Sequence, residues 1–141
     1  MSESCVFCKI ISGEFPAHII YSDRHCLAFL DKRPLFPGHT LLVPKVHVST
    51  LDQMNFSWSG HYFKVLCMLS GAVQKGMDSQ GTFIAENNRV SQSVPHLHFH
   101  IVPRKRKDGL KGFFWPRHPY KNEEEMEVAA EKIRAVITAI Q

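Results

Sequence analysis

With 141 residues and a hydrophobic share of 44%, the chain can fill one sizeable core, which argues for a single domain over 1–141 and against a disordered chain. No run reaches the roughly 18 uninterrupted apolar residues of a membrane span, and the start Met1-Ser2-Glu3-Ser4-Cys5 has neither a basic nor an apolar leader region, so a cytoplasmic protein without a membrane partner is expected. The net charge of +4 suits an anionic ligand, but the cations gather in Arg104-Lys105-Arg106-Lys107 with no interleaved aromatics, which reads as a solvated loop and gives nucleic acid little support as a partner.

In chain order, Val6, Phe7, Ile10 and Ile11 recur at helical spacing and predict a short helix ending at Gly13, with Cys5 and Cys8 at its start. Runs of β-branched and aliphatic residues predict strands at Ile19–Ser22, Cys26–Asp31 and His39–Val43. They are separated by Ser22-Asp23-Arg24, and by Pro34 with Pro37-Gly38. From Ser57 to Gly76 the apolar residues Tyr62, Leu66, Leu69 and Val73 share one helical face. Further strands are expected at Thr82–Glu86 and at His96–Val102, the latter closed by Pro103. Asn122 with Glu125 three residues on caps a last amphipathic helix carrying Met126, Ala130, Ile133, Ile137 and Ile140. Strands in runs with helices apart give an α+β domain: an antiparallel sheet of about five strands, a long helix and a C-terminal helix.

Four cysteines are too few for a disulfide-stapled scaffold of this length. Cys26 and Cys67 lie in apolar patterns and read as core, which leaves Cys5 and Cys8 as the pair with a specific role.

The segment Pro95-His96-Leu97-His98-Phe99-His100-Ile101-Val102 carries the strongest chemical signal. In an extended chain residues two apart point the same way, so the three imidazoles share one face and Leu97, Phe99 and Ile101 enter the core on the other. Three readings stand at this point: a histidine-rich exposed strand, a three-imidazole metal site, and a catalytic row.

Here the sequence resembles the histidine triad family. His-Leu-His-Phe-His-Ile-Val is similar to the family's alternating histidine signature, with Gln92-Ser93-Val94 before it. The stretches Cys5 to Pro16, Leu27-Ala28-Phe29-Leu30-Asp31 and Pro37-Gly38-His39-Thr40-Leu41-Leu42-Val43-Pro44-Lys45-Val46-His47 resemble family blocks in the family's order. The likeness covers about 5–104 and leaves 105–141 as an extension.

The resemblance implies a nucleotide hydrolase acting at an α-phosphate, with His98 as the nucleophile, the carbonyl of His96 holding its other ring nitrogen, and His100 and Ser93 assisting at the phosphate. It implies a nucleotide pocket of Phe7, Ile10, Phe15 and Phe29, with Asp31 on the ribose, and counts His39, Asn87 and Gln92 among the nucleotide-binding residues. The ligand would be a purine nucleotide such as AMP or its conjugates. Some members hold a structural zinc, which here would sit on Cys5, Cys8, His47 and His96. The resemblance also implies a homodimer paired through the long helix, for which the face of Tyr62, Leu66, Leu69 and Val73 and the tail Phe113-Phe114-Trp115-Pro116 are candidates.

Two departures stand out. Asn87-Asn88-Arg89-Val90-Ser91 is shorter than the family's turn and lacks glycine, and Lys32 stands where an apolar residue is common. A nucleotide sensor without turnover and a nucleic-acid end-processing enzyme are the competing functions.

Overall fold

The computed structural model describes residues 4–110 and 117–140, so the expectation for Phe113 to Pro116 lies outside the described residues. The chain divides after Asp108 into two compact units. In the first, α1 (Val6–Ile11) leads into β1 (Ile19–Ser22), β2 (Cys26–Leu30) and β3 (Thr40–Pro44); a 3₁₀ turn at Leu51–Gln53 precedes α2 (Phe56–Gly76), β4 (Gly81–Glu86) and β5 (Phe99–Arg104). All pairings are antiparallel, in the order β1-β2-β3-β5-β4. This is the α+β sheet of five strands expected.

Sequence chemistry accounts for the element ends. The Cys5 thiol accepts from the Cys8 amide at the start of α1, and Gly13 takes φ +84° just past the helix end, where a side chain would be strained. Asn55 caps α2 by accepting from the Ser57 amide at 2.8 Å. Between β1 and β2 Asp23 binds the amides of His25 and Cys26, both at 2.7 Å, and also takes the Tyr21 hydroxyl and Nε2 of His61, which ties the hairpin to α2.

The sheet alternates its two faces. Cys26, Ala28, Leu42, Leu97 and Ile101 point to α2 and join Tyr62, Leu66, Leu69 and Val73 in one core; Leu27, Phe29, Leu41 and Val43 join Phe7, Cys8 and Ile10 of α1 in another. Fully burying a side chain such as Leu42 or Leu97 contributes about 1.5–3 kcal/mol. The apolar face of α2 is therefore filled within its own unit and is not available for pairing. Cys67 points outward and is exposed, in contrast to the core position expected for it, while Cys26 is completely buried.

The expected strand His96–Val102 is displaced: pairing begins only at Phe99 and runs on to Arg104. Pro103 lies inside β5, opposite Thr82. It is tolerated because β3 stops pairing at the Thr40–Ile101 step, so the missing N–H faces an open side. Arg104 closes the strand on the Asp108 carboxylate at 2.6 and 3.0 Å, and Lys105 to Lys107 form the exposed turn expected of the basic run.

In the second unit Asn122 caps α3 (Glu123–Ile140) by accepting from the Glu125 amide at 2.8 Å, and three glutamates occupy its first turn, where they complement the helix dipole. Among the described residues no helix is long and apolar enough to cross a membrane.

Candidate active site and metal centre

His96 sits in a bend, His98 in the unpaired residues just before β5 and His100 on the strand itself, yet the three rings stay on the face opposite Leu97 and Ile101. Leu97 and Ile101 are fully buried on the α2 face, and the ring of Phe7 from α1 meets those of His96 and His98 edge-on on the other. The row is thus sealed against α1 and is not a solvent-facing strand.

The hydrogen bonds assign the tautomers. Nδ1 of His98 lies 2.7 Å from the carbonyl of His96; a carbonyl only accepts, so Nδ1 carries the proton and Nε2 keeps its lone pair. Burial pushes the His98 imidazole below its ordinary value, against the pull of that carbonyl and of Asp31, and so favours this neutral form.

A second chain of bonds starts at Leu35, whose amide donates to Nδ1 of His39 at 3.0 Å. Neutral His39 must then hold its proton on Nε2, which lies 2.9 Å from Nδ1 of His100. His100 accepts there and keeps Nε2–H as a donor. Its imidazole is pushed down to about 4 by burial and by His98 and His39, with Asp31 opposing. His39, buried and likewise pushed down by burial, sits behind His100, with Asp31 3.7 Å from its Nε2.

Beside the histidines a cavity of about 260 Å³ is lined by Phe7, Ile10, Phe15, Phe29, Asp31 and further residues, so the five pocket residues named from sequence are brought together. Asn87, Gln92 and Ser93 lie in the loop before the histidines. Gln92 accepts from the Arg89 amide at 2.9 Å and donates to the Ser49 carbonyl at 2.6 Å, while Asn88 accepts from the Leu51 amide at 2.9 Å. Asn87 donates to the Ser91 carbonyl at 3.3 Å. This glycine-free loop accepts left-handed backbone at Arg89 and Ser91, with φ of 68° and 60°. The cross-links to Ser49 and Leu51, which sequence spacing does not signal, hold it in place.

Cys5, Cys8, His47 and His96 converge in a second cluster that shares His96 with the row. Nε2 of His96 donates to the Pro44 carbonyl at 2.9 Å, so its Nδ1 presents a lone pair to the cluster. That nitrogen stands 3.4 Å from the Cys5 sulfur, 3.6 Å from the Cys8 sulfur and 3.0 Å from Nδ1 of His47. Tetrahedral zinc at its usual bond lengths spans edges of ~3.5 Å for S···N and ~3.3 Å for N···N. The observed distances fall within a few tenths of an ångström of these, so the donor set fits the metal. Burial, with further help from His47 and His98, pushes the His96 imidazole down to about 4 against its bond to Pro44, and burial raises the Cys5 thiol.

A family model described as HIT domain matches residues 12–107. The Protein hit of Bacillus subtilis (strain 168) is 35% identical over 133 residues, covering 92% of each chain. A protein of Schizosaccharomyces pombe named adenosine 5'-monophosphoramidase hnt1 is 32% identical over 95% of this chain and 98% of its own length. Among solved structures, a crystal structure of a HIT family member from Bacillus subtilis aligns with a TM-score of 0.83 at 34% identity, over 94% of this chain and 96% of that one.

Proposed function

The chain belongs to the HIT domain family, and on that premise we propose that it is a nucleotide hydrolase which cuts phosphoramidate or phosphoanhydride conjugates of purine nucleotides at the α-phosphate. The observation that carries this reading is the bond from Nδ1 of His98 to the His96 carbonyl, which leaves Nε2 unprotonated on a ring that packs against Phe7, a wall residue of the cavity.

In this reading Nε2 of His98 attacks the α-phosphorus, a nucleotidyl–histidine bond forms, and the bond to the leaving amine or phosphate breaks. The Nε2–H of His100 donates to the phosphate or the departing group. Water then attacks the same phosphorus, releases the nucleoside monophosphate and returns His98 to its starting form. Phe7, Ile10, Phe15 and Phe29 hold the base, and Asp31 accepts from the ribose. Asn87, Ser93 and neighbouring loop amides surround the phosphate, and Gln92 holds that loop to Ser49. A relative's name as an adenosine 5'-monophosphoramidase supports the amidate as substrate.

Cys5, Cys8, His47 and His96 would hold a structural zinc, which would pin α1 to the catalytic segment. The chain pairs as a homodimer through the outward face of α2, where Phe56 and Phe63 are 87% and 63% exposed and a Cβ on Gly60 between them would meet nothing, which leaves room for a second helix.

The test is incubation with an adenosine phosphoramidate, a dinucleoside polyphosphate and an adenylated amino acid. Release of AMP, with a nucleotidyl group trapped on His98 and seen by intact mass, is expected. Tight AMP binding with no product from any of the three would favour a nucleotide sensor instead.

A further inference from the structure

The cavity beside the histidines is lined mostly by apolar side chains, with two cationic residues among them. Lys32 and Arg33, both exposed, line it together with Asp31 and the exposed His18. Their placement follows from the end of β2: Oδ1 of Asp31 accepts from the Arg33 amide at 2.9 Å, a short turn that sets how the chain leaves the strand and keeps both cations at the cavity. With Oδ1 occupied, Oδ2 is the Asp31 oxygen that faces the histidines, 3.7 Å from His39.

The reaction centre adjoins Asp31, whose Oδ2 lies 3.7 Å from the Nε2 of His39 that bonds to His100. Phe29 pairs with Leu41, and Leu41 with His100, so one strand step separates each wall residue from the next on the same face of the sheet. A nucleotide with its base packed against the Phe7–Phe29 pair, whose rings meet edge to face with centroids 5.5 Å apart, and with its α-phosphate at His98, turns its ribose 2' and 3' oxygens toward Asp31, Lys32 and Arg33. Lys32 and Arg33 directly follow Asp31 and line the same cavity, so in this pose they stand next to the ribose.

The geometry points to a subsite for a second phosphate, carried as a monoester on the 2' or 3' oxygen of the ribose, and so to a ribose-phosphorylated purine nucleotide conjugate as the preferred substrate; this rests on the nucleotide reading of the cavity. Two cations outweigh the single Asp31 carboxylate. An arginine guanidinium matches a phosphate monoester in a fork of two hydrogen bonds, with the lysine as a point charge beside it. Because both side chains are exposed, the attraction is screened by salt.

The experiment compares binding of AMP, adenosine 3',5'-bisphosphate and adenosine 2',5'-bisphosphate to the purified protein by calorimetry, and kcat/KM for adenosine 5'-phosphoramidate with and without the ribose phosphate. A roughly tenfold preference for one bisphosphate over AMP at low ionic strength is expected, shrinking as salt is raised. The ratio should collapse to within about threefold in a Lys32→Ala, Arg33→Ala double variant whose circular dichroism matches the parent. Equal affinity for all three ligands, or a preference unchanged in the double variant, overturns the subsite while leaving the nucleotide reading in place. Failure of AMP and both bisphosphates to bind at all overturns the nucleotide reading and the subsite with it.

Discussion

Nε2 of His39 and Nδ1 of His100 lie 2.9 Å apart, and because the Leu35 amide occupies the far nitrogen of His39, the proton between the two rings belongs to His39. A backbone amide in the β2–β3 loop thereby sets the tautomer of a ring on β5. His39→Ala is expected to lower kcat on an adenosine phosphoramidate by at least ~10-fold, short of the full 10²–10⁴ of a lost general acid, with a smaller effect on KM. His39→Gln, whose amide can both accept from Leu35 and donate to His100, should restore part of the loss. Equal defects in both variants would show that the donor chain is not what His39 supplies.

Removing the nucleophile is the harsher change. His98→Ala should cost roughly 10³-fold or more in single-turnover hydrolysis while circular dichroism remains that of the parent. Near-normal turnover would end the covalent mechanism.

About one zinc per chain is expected in protein purified without a histidine tag, measured by elemental analysis. Its removal by a chelator should lower Tm more than it lowers the rate constant of protein that remains folded, because the His98 ring is not among the four residues of the cluster. Cys8→Ser should lose the metal. A metal-free wild type, even after refolding with zinc, would return the four residues to ordinary core.

Stability should fall on acidification because His39 and His100 are held neutral. The His100 imidazole is pushed from an ordinary 6.5 down to about 4 in the folded protein, facing His98, His39 and Asp31. Between those values the unfolded chain takes up a proton that the folded one refuses, so this contribution is full above 6.5 and is lost progressively down to about 4. Tm should accordingly be higher at pH 7 than at pH 5, and the difference should narrow in His100→Gln. An unchanged difference would place the pH sensitivity elsewhere.

Light scattering should give twice the 16.1 kDa chain mass at micromolar concentration, and Phe63→Lys on the outward face of α2 should shift it toward one chain. A fully active wild type with the mass of one chain would remove the homodimer.

The strands, the long helix and the cap of the last helix were legible because each rests on local rules. Runs of β-branched and aliphatic residues over Cys26–Leu30 and Thr40–Pro44, the 3.6-residue recurrence of Tyr62, Leu66, Leu69 and Val73, and the Asn122 cap need no knowledge of distant neighbours. Cys67 misled because a small apolar residue in a helix has no periodic signature of its own; only the arrival of the sheet decides which face it joins.

The sequence by itself determined the spacing of the imidazoles, since an extended backbone places every second side chain on one face whether or not the segment is paired. The two thiols and two imidazoles that converge in one cluster came from the family resemblance, since Cys5 and Cys8 alone do not specify His47 or His96. Only the tertiary structure decided what each ring nitrogen does. The protons on His96, His98 and His39 are placed by Pro44, by a backbone carbonyl two residues back and by Leu35, and two of these partners arrive from other parts of the sheet or its loops. Likewise Gln92 and Asn88 are tied to Ser49 and Leu51 by bonds that span some forty residues of chain. Tautomers and loop anchors depend on where hydrogen-bond partners lie in space, and that is fixed only when the strands have paired.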